Sequence, residues 1–334
     1  MTVQTQIRVA APKAAKTPRR IILLGGSGQV GTLLARHFHQ RRDEVCVVAR
    51  TTYSAPWQVV AWNGRQIGEW VRALDGADIV INLAGRSVDC RYNARNREEI
   101  LESRIGSTRL VGEAIRRAST PPGLWINAST ATIYRHALDR PMDEETGELG
   151  GTEAGVPDTW RFSIEVATRW EQAFFAAGTP GTRKVALRSA MTMSPDRGGV
   201  FDVLLRLVRF GLGGRSGSGR QFVSWIHERD FVRAVEFVIA NPQIEGAVNV
   251  SSPNPVTNAD FMRNLREAWG TNVGLPAPDW ILEIGSFLIR TETELILKSR
   301  RVVPARLLNE GFAFEFPEWR EAAKDLVKSW RERR

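Results

Sequence analysis

Cysteine is nearly absent, with only Cys46 and Cys90 in 334 residues, and the two fall in different predicted elements. That excludes a disulfide framework and a cysteine-based metal site, and it makes a reducing, cytoplasmic setting the simpler expectation. Histidine is almost as scarce, at four residues with no HxxxH spacing and no cluster with carboxylates, so no metal is expected. No uncharged apolar stretch approaches the roughly 20 residues that span a bilayer. The N-terminus also lacks the apolar core of a secretory signal. A soluble protein, monomeric or homodimeric and without membrane contact, is the expectation.

What is present is ordinary globular composition, 43% hydrophobic and 25% charged, with a formal charge of +9. Arg8, Lys13, Lys16 and Arg19 stand without acids among Ala, Pro and Thr, which predicts a disordered basic tail over residues 1–19. Elsewhere Arg and Lys alternate with acids, as in Arg97, Glu98, Glu99, Glu102 and Arg104, the pattern of solvated helix faces. No nucleic-acid-binding motif accompanies the charge, so no nucleic-acid partner is expected.

Short apolar runs predict strands over 20–24, 44–49, 77–83, 124–128 and 183–188. Helical spacing predicts helices over 30–38, 93–118, 160–177 and 230–240. Strand and helix alternate with strands apolar throughout, so the fold class is α/β: a Rossmann-type doubly wound parallel sheet. After Val250 the pattern turns to helices punctuated by proline, which predicts a smaller, mostly helical C-terminal lobe. The division expected is 20–187 plus 222–251 for the cofactor domain and 188–221 plus 252–330 for a substrate-binding lobe.

The run Gly25-Gly26-Ser27-Gly28-Gln29-Val30-Gly31 lies between the first strand and the first helix. Glycine there permits a tight turn, lets backbone N–H groups approach a pyrophosphate and lets the helix pack close to the strand. In such sites the second strand usually ends in Asp or Glu for the ribose hydroxyls, but this chain has Ala49-Arg50-Thr51-Thr52. Arg50, with Thr51, suits a 2′-phosphate and so NADP(H). The alternative is a surface arginine at a strand end. Gly211–Gly219 (GLGGRSGSG) lacks the GKS or GKT ending of a phosphate loop and suggests either a mobile loop over the active site or a plain connection.

These segments, together with Ile81-Asn82-Leu83-Ala84-Gly85, Glu102-Ser103-Arg104-Ile105, Ser224-Trp225-Ile226-His227 and Pro253–Asn258, resemble the short-chain dehydrogenase/reductase superfamily. The likeness is to its extended branch, and within it to an atypical, YfcH-like group of epimerase family proteins, from about residue 20 to about residue 327. It implies that Asn82, Leu83, Ala84 and Gly85 line the cofactor cleft, with Ser129 beside it and Arg104 on the long helix as a binder of the cofactor or of an anionic substrate, the alternative being a salt bridge on the helix surface. It implies oxidoreductase or epimerase chemistry with a Ser or Thr after the fifth strand and a Tyr and Lys in a YxxxK helix. Thr130 stands at the Ser/Thr position. The Tyr and Lys positions fall near Ser163 and Ala167, so the pair is missing.

Tyr134 is then the candidate acid/base, or else a packed phenol with its hydroxyl satisfied. Arg188, Trp225 and His227 are candidate substrate-binding residues, against the alternative of structural roles. Without YxxxK the sequence leaves two functions open: an NADP(H)-dependent oxidoreductase or epimerase-like enzyme, and a non-catalytic NADP(H)-binding regulatory or scaffold protein.

Overall fold

The computed structural model describes residues 17–278 and 294–334. Most of the expected basic tail, residues 1–16, lies outside them. Arg19 is anchored to the fold by ion pairs to Asp43 and Glu236.

Seven strands form one parallel sheet: β1 (Arg20–Leu24), β2 (Glu44–Ala49), β3 (Gln58–Ala61), β4 (Ile79–Asn82), β5 (Leu124–Thr130), β6 (Arg183–Ser189) and, after three short strands, β10 (Gly246–Val250). Their order is β10-β6-β5-β4-β1-β2-β3. The chain therefore runs outward from β1 to β3, returns, and continues from β4 on the other side. The crevice at that reversal, between β1 and β4, is where doubly wound sheets bind ligands.

Both faces of the strands are apolar because helices cover both. Ile21, Leu23, Val45 and Val47 pack with Leu34, Phe38, Phe231 and Val235 on one side. On the other, Ile22, Leu24, Cys46 and Val48 pack with Trp70, Val111, Trp125 and Phe174. The covering helices are α1 (Gln29–Gln40), α2 (Ala94–Arg117), α3 (Asp158–Phe175) and α5 (Glu228–Ala240). Asn93 starts α2 by accepting the Asn96 N–H at 2.9 Å.

A third apolar cluster joins α4 (Val200–Arg209), α6 (Asn258–Trp269) and helix Trp319–Glu332 through Phe201, Leu205, Phe261, Leu265, Trp319 and Trp330. The short strands β7 (Met191–Met193), β8 (Phe222–Val223), β9 (Trp225–His227) and β11 (Val256–Thr257) tie it to the sheet's edge.

The Gly211–Gly219 segment is a packed connection. Gly214 N–H donates to Leu275 O at 3.2 Å, Gly217 N–H to Ala277 O at 2.8 Å, and Arg266 donates to Gly213 O at 2.6 Å. A segment held by this many bonds is not a free lid. Among the described residues no helix is long and apolar enough to cross a membrane.

Candidate dinucleotide and substrate cleft

The glycine turn is built by contacts that exclude side chains. Gly25 has φ +71° and donates its N–H to Val48 O at 2.8 Å, and a Cβ on it would lie 2.7 Å from the Ala84 backbone. The ends of β1 and β4 thus touch at the switch point. A Cβ on Gly31 would lie 2.4 Å from the Gly26 backbone, so α1 can pack this close to the turn only with glycine at 31, and a Cβ on Gly26 would press on Leu23 at 2.9 Å. Gly28 differs, because nothing crowds it nearer than 3.9 Å and it is exposed with Ser27.

Helix α1 starts at Gly28 with no side-chain cap and no acid in its first turn. Its N-terminal partial charge is left for an anion. The buried Gln29 Nε2 has no hydrogen-bond partner and sits against Gly199, and Val30 is half-buried beside it. An orphaned amide donor and an uncapped helix end fit a pyrophosphate.

Arg50 and Thr51 follow β2 directly, one strand over from Gly25, and both are exposed. The Arg50 guanidinium has no ion pair or hydrogen bond to the described residues. After β4, Asn82 is fully buried and accepts the Ala84 N–H at 3.1 Å while donating to Asn127 at 2.8 Å. Asn82 shapes the turn, and the half-buried Leu83 and Ala84 and the exposed Gly85 present its surface.

Arg104 reaches that surface from α2: a Cβ on Gly85 would lie 3.3 Å from the Arg104 side chain. Its guanidinium donates to Ile100 O at 3.1 Å and lies 5.3 Å from the Trp170 ring, and no carboxylate pairs with it among the described residues. Burial pulls its pKa down to about 10, with Tyr92 and Cys90 opposing.

The residues expected to carry chemistry lie elsewhere. Ser129 donates to Glu171 at 2.5 Å, and Arg188 grips both Glu171 oxygens at 2.9 and 2.8 Å. Arg188 also donates to the Tyr134 hydroxyl at 2.8 Å, which donates to Asn249 at 2.9 Å. Tyr134 is 2% exposed, and burial raises its pKa despite Arg188. Tyr134, Ser129 and Arg188 form one interior network in which each side chain is bonded to another protein group.

Trp225 is fully buried against Trp319. The His227 ring caps α5 through the Arg229 N–H and contacts Asp325 at 3.1 Å, stacked on Phe316. Burial lowers its pKa to about 4 against the pull of Asp325. Neither lines a cleft. Thr130, half-exposed at the end of β5, accepts the Thr132 N–H at 3.2 Å.

A cluster that the sequence reading missed stands where the Tyr and Lys of α3 are absent. Ser163 Oγ lies 3.4 Å from the Tyr92 hydroxyl and 3.2 Å from Glu294, which pairs with Arg300 at 2.5 Å. Arg300 also donates to Thr132 Oγ1 at 3.1 Å, and Lys298 donates to Thr132 O at 2.7 Å. Burial, aided by Arg300, lowers the Lys298 pKa to about 7 against Glu294 and Glu153. The signal available was a cluster of charges closing the apolar run Leu295-Ile296-Leu297. A separate groove of about 450 Å³ lies between α2 and α3, lined by Arg109, Arg116 and Arg169, towards the opposite edge of the sheet.

A parallel sheet with a glycine cradle at its topological switch point defines a Rossmann-type protein. The chain belongs to the NAD dependent epimerase/dehydratase family, whose profile matches residues 21–251, and a domain of unknown function, DUF1731, matches residues 277–326. It is 32% identical to the mouse epimerase family protein SDR39U1 over 92% of this chain and 99% of that one. It is also 32% identical to an epimerase family protein of Mycobacterium bovis over 88% and 93%. The solved structure of human epimerase family protein SDR39U1 with NADPH superposes with a TM-score of 0.80 at 29% identity, covering 92% and 99%.

Proposed function

We propose that the chain is an NADP(H)-dependent oxidoreductase or epimerase-like enzyme acting on a small molecule at the carboxyl edge of the sheet. The observation that carries this is Arg50: an exposed cation with no partner among the described residues, where the second strand ends beside the glycine turn, in place of the usual acid. The NADPH in the solved human relative supports the same cofactor.

Gly25, Gly26, Ser27, Gly28, Gln29, Val30 and Gly31 would hold the pyrophosphate. Arg50 and Thr51 would take the 2′-phosphate, while Leu83, Ala84 and Gly85, set by Asn82, line the opposite side. When bound, the cofactor supplies or accepts a hydride. Thr130 offers a hydroxyl to orient a substrate oxygen, and Arg104 offers positive charge.

The test is titration with NADPH and NADH. NADPH binds more tightly in the wild type, and Arg50→Ala erases the preference. Equal wild-type affinities would remove the argument from Arg50.

One observation favours a second reading, a non-catalytic NADP(H)-binding regulatory or scaffold protein: α3 carries Ser163 and Ala167 at the Tyr and Lys positions, and Tyr134 is consumed in the interior. NADPH oxidation with a panel of carbonyl compounds, joined to product analysis for epimerisation that regenerates the cofactor, separates the two. Silence in both assays selects the second.

A further inference from the structure

Each of the other deeply placed arginines near the cleft has an acid. Arg188 has Glu171, and Arg300 has Glu294. Among the described residues Arg104 has a single backbone carbonyl and an aromatic face, and no carboxylate. A guanidinium carries five N–H donors in a fixed fork, so most of its capacity is unspent, and a charge withdrawn from water without a counter-charge costs stability. Tyr92 and Cys90 oppose the effect of burial on Arg104, but the Tyr92 phenol stays protonated near neutral pH, since burial pushes its pKa up to about 12 despite Ser163. The acid of the neighbouring cluster, Glu294, is already held by Arg300.

Among the described residues the surroundings also leave access. Gly85 is exposed and has no side chain where the Arg104 stem passes 3.3 Å from its would-be Cβ, and the residue at position 163 is a small serine. The cation therefore lies between the end of β4, which borders the dinucleotide cradle, and the part of α3 that faces the reacting centre. A planar fork beside an aromatic ring suits carboxylate or phosphate oxygens, bound in a bidentate manner.

We infer that Arg104 anchors an anion subsite of the cleft, and that the substrate is a small molecule bearing a carboxylate or a phosphate ester that binds there. This rests on the dinucleotide reading above for the position of the reacting centre, and it extends that reading to the substrate's chemical class. The 2′-phosphate belongs to Arg50 at the far end of the cradle, so Arg104 is left for the substrate rather than the cofactor.

The experiment melts NADPH-saturated protein in malonate or in inorganic phosphate, at tens of millimolar, against chloride at equal ionic strength. In the wild type at least one of the two anions raises Tm by about 2 °C or more. Arg104→Met abolishes the rise and Arg104→Lys keeps part of it. In chloride Arg104→Met melts at or above the wild type, because an uncompensated charge has gone, and its NADPH affinity stays within about twofold. No response to either anion in the wild type, or an equal response in Arg104→Met, overturns the inference. A Tm several degrees lower in chloride makes Arg104 a packing residue, and a larger loss of NADPH affinity gives it to the cofactor; either result also overturns it. Failure of the dinucleotide reading is distinguishable, since it shows as wild-type protein that binds no NADPH, whatever the anions do.

Discussion

Arg188 and Arg104 are two arginines near the carboxyl edge of one sheet, and they differ in what surrounds them. Arg188 sits in a closed circuit in which Glu171, Ser129, Tyr134 and Asn249 each answer another's hydrogen-bonding group. Among the described residues Arg104 has no carboxylate and the buried amide donor of Gln29 no partner, while Arg50 is exposed and unpaired. Leaving a buried polar group unanswered costs stability, so a bonded interior network points to structure and a buried donor left without a protein partner points to a ligand. The contrast predicts that substitutions in the first group damage stability, and substitutions in the second damage binding.

The largest stability effect belongs to Arg188→Met. The Arg188 and Glu171 side chains are only 10% and 9% exposed, so removing one partner strands a charge in the interior and costs about 3–5 kcal/mol in urea unfolding. Replacing both by methionine recovers part of that loss. If Arg188→Met were as stable as the wild type, the division between the two arginines would collapse.

His227 gives the next effect, through pH. Its imidazole titrates at about 4 in the folded protein and near 6.5 when unfolded, because burial disfavours the charged ring. As pH falls, the unfolded chain takes up this proton first. The stability tied to the neutral ring is therefore full above about pH 6.5 and is lost progressively down to about pH 4, by up to about 3 kcal/mol. His227→Gln should flatten that segment of the stability profile, as measured by denaturant unfolding across pH. An unchanged slope would show that the ring is not held neutral.

Gly25→Ala comes third and tests both classes together. A Cβ there meets the Ala84 backbone at 2.7 Å on a residue with φ +71°, an overpacking that costs about 1–3 kcal/mol. The same shift parts β1 from β4 at the switch point, so NADPH affinity should fall as well. Lost stability with retained affinity would place the dinucleotide elsewhere.

How far these residues could be read from sequence follows from the range of the interactions that place them. The glycine turn is local: Gly25, Gly28 and Gly31 lie within seven residues, flanked by a strand and a helix whose periodicities are visible directly. The place of Arg50 beside the turn was legible because it follows a strand paired in register with β1, Leu24 opposite Val48. Tyr134, Arg188, Trp225 and His227 are near strand ends too, but nearness in sequence does not say which way a side chain turns. In β5 the adjacent Ser129 and Thr130 part ways, one into the Glu171 circuit and the other towards the edge. Glu294 and Lys298 were illegible because they reach α3 and the turn after β5 from far along the chain, Glu294 being 131 residues from Ser163. Helical spacing carries no trace of such a contact.

The smallest stability effect should accompany a large functional one, at Arg50. Its side chain is exposed and bonds to none of the described residues, so Arg50→Ala should change the unfolding free energy by no more than about 0.5 kcal/mol. A charge-assisted pair with a phosphate is worth about 1.5–3 kcal/mol. NADPH affinity should therefore fall by about tenfold or more, with NADH affinity unmoved, since NADH carries no 2′-phosphate for the guanidinium to meet. Arg188→Met should show the reverse profile: a large loss of stability with the ratio of NADPH to NADH affinity intact in whatever fraction remains folded. If Arg50→Ala instead destabilised the fold, or weakened both nucleotides equally, the rule that separates answered from unanswered cations would fail at the site where it is most exposed to test.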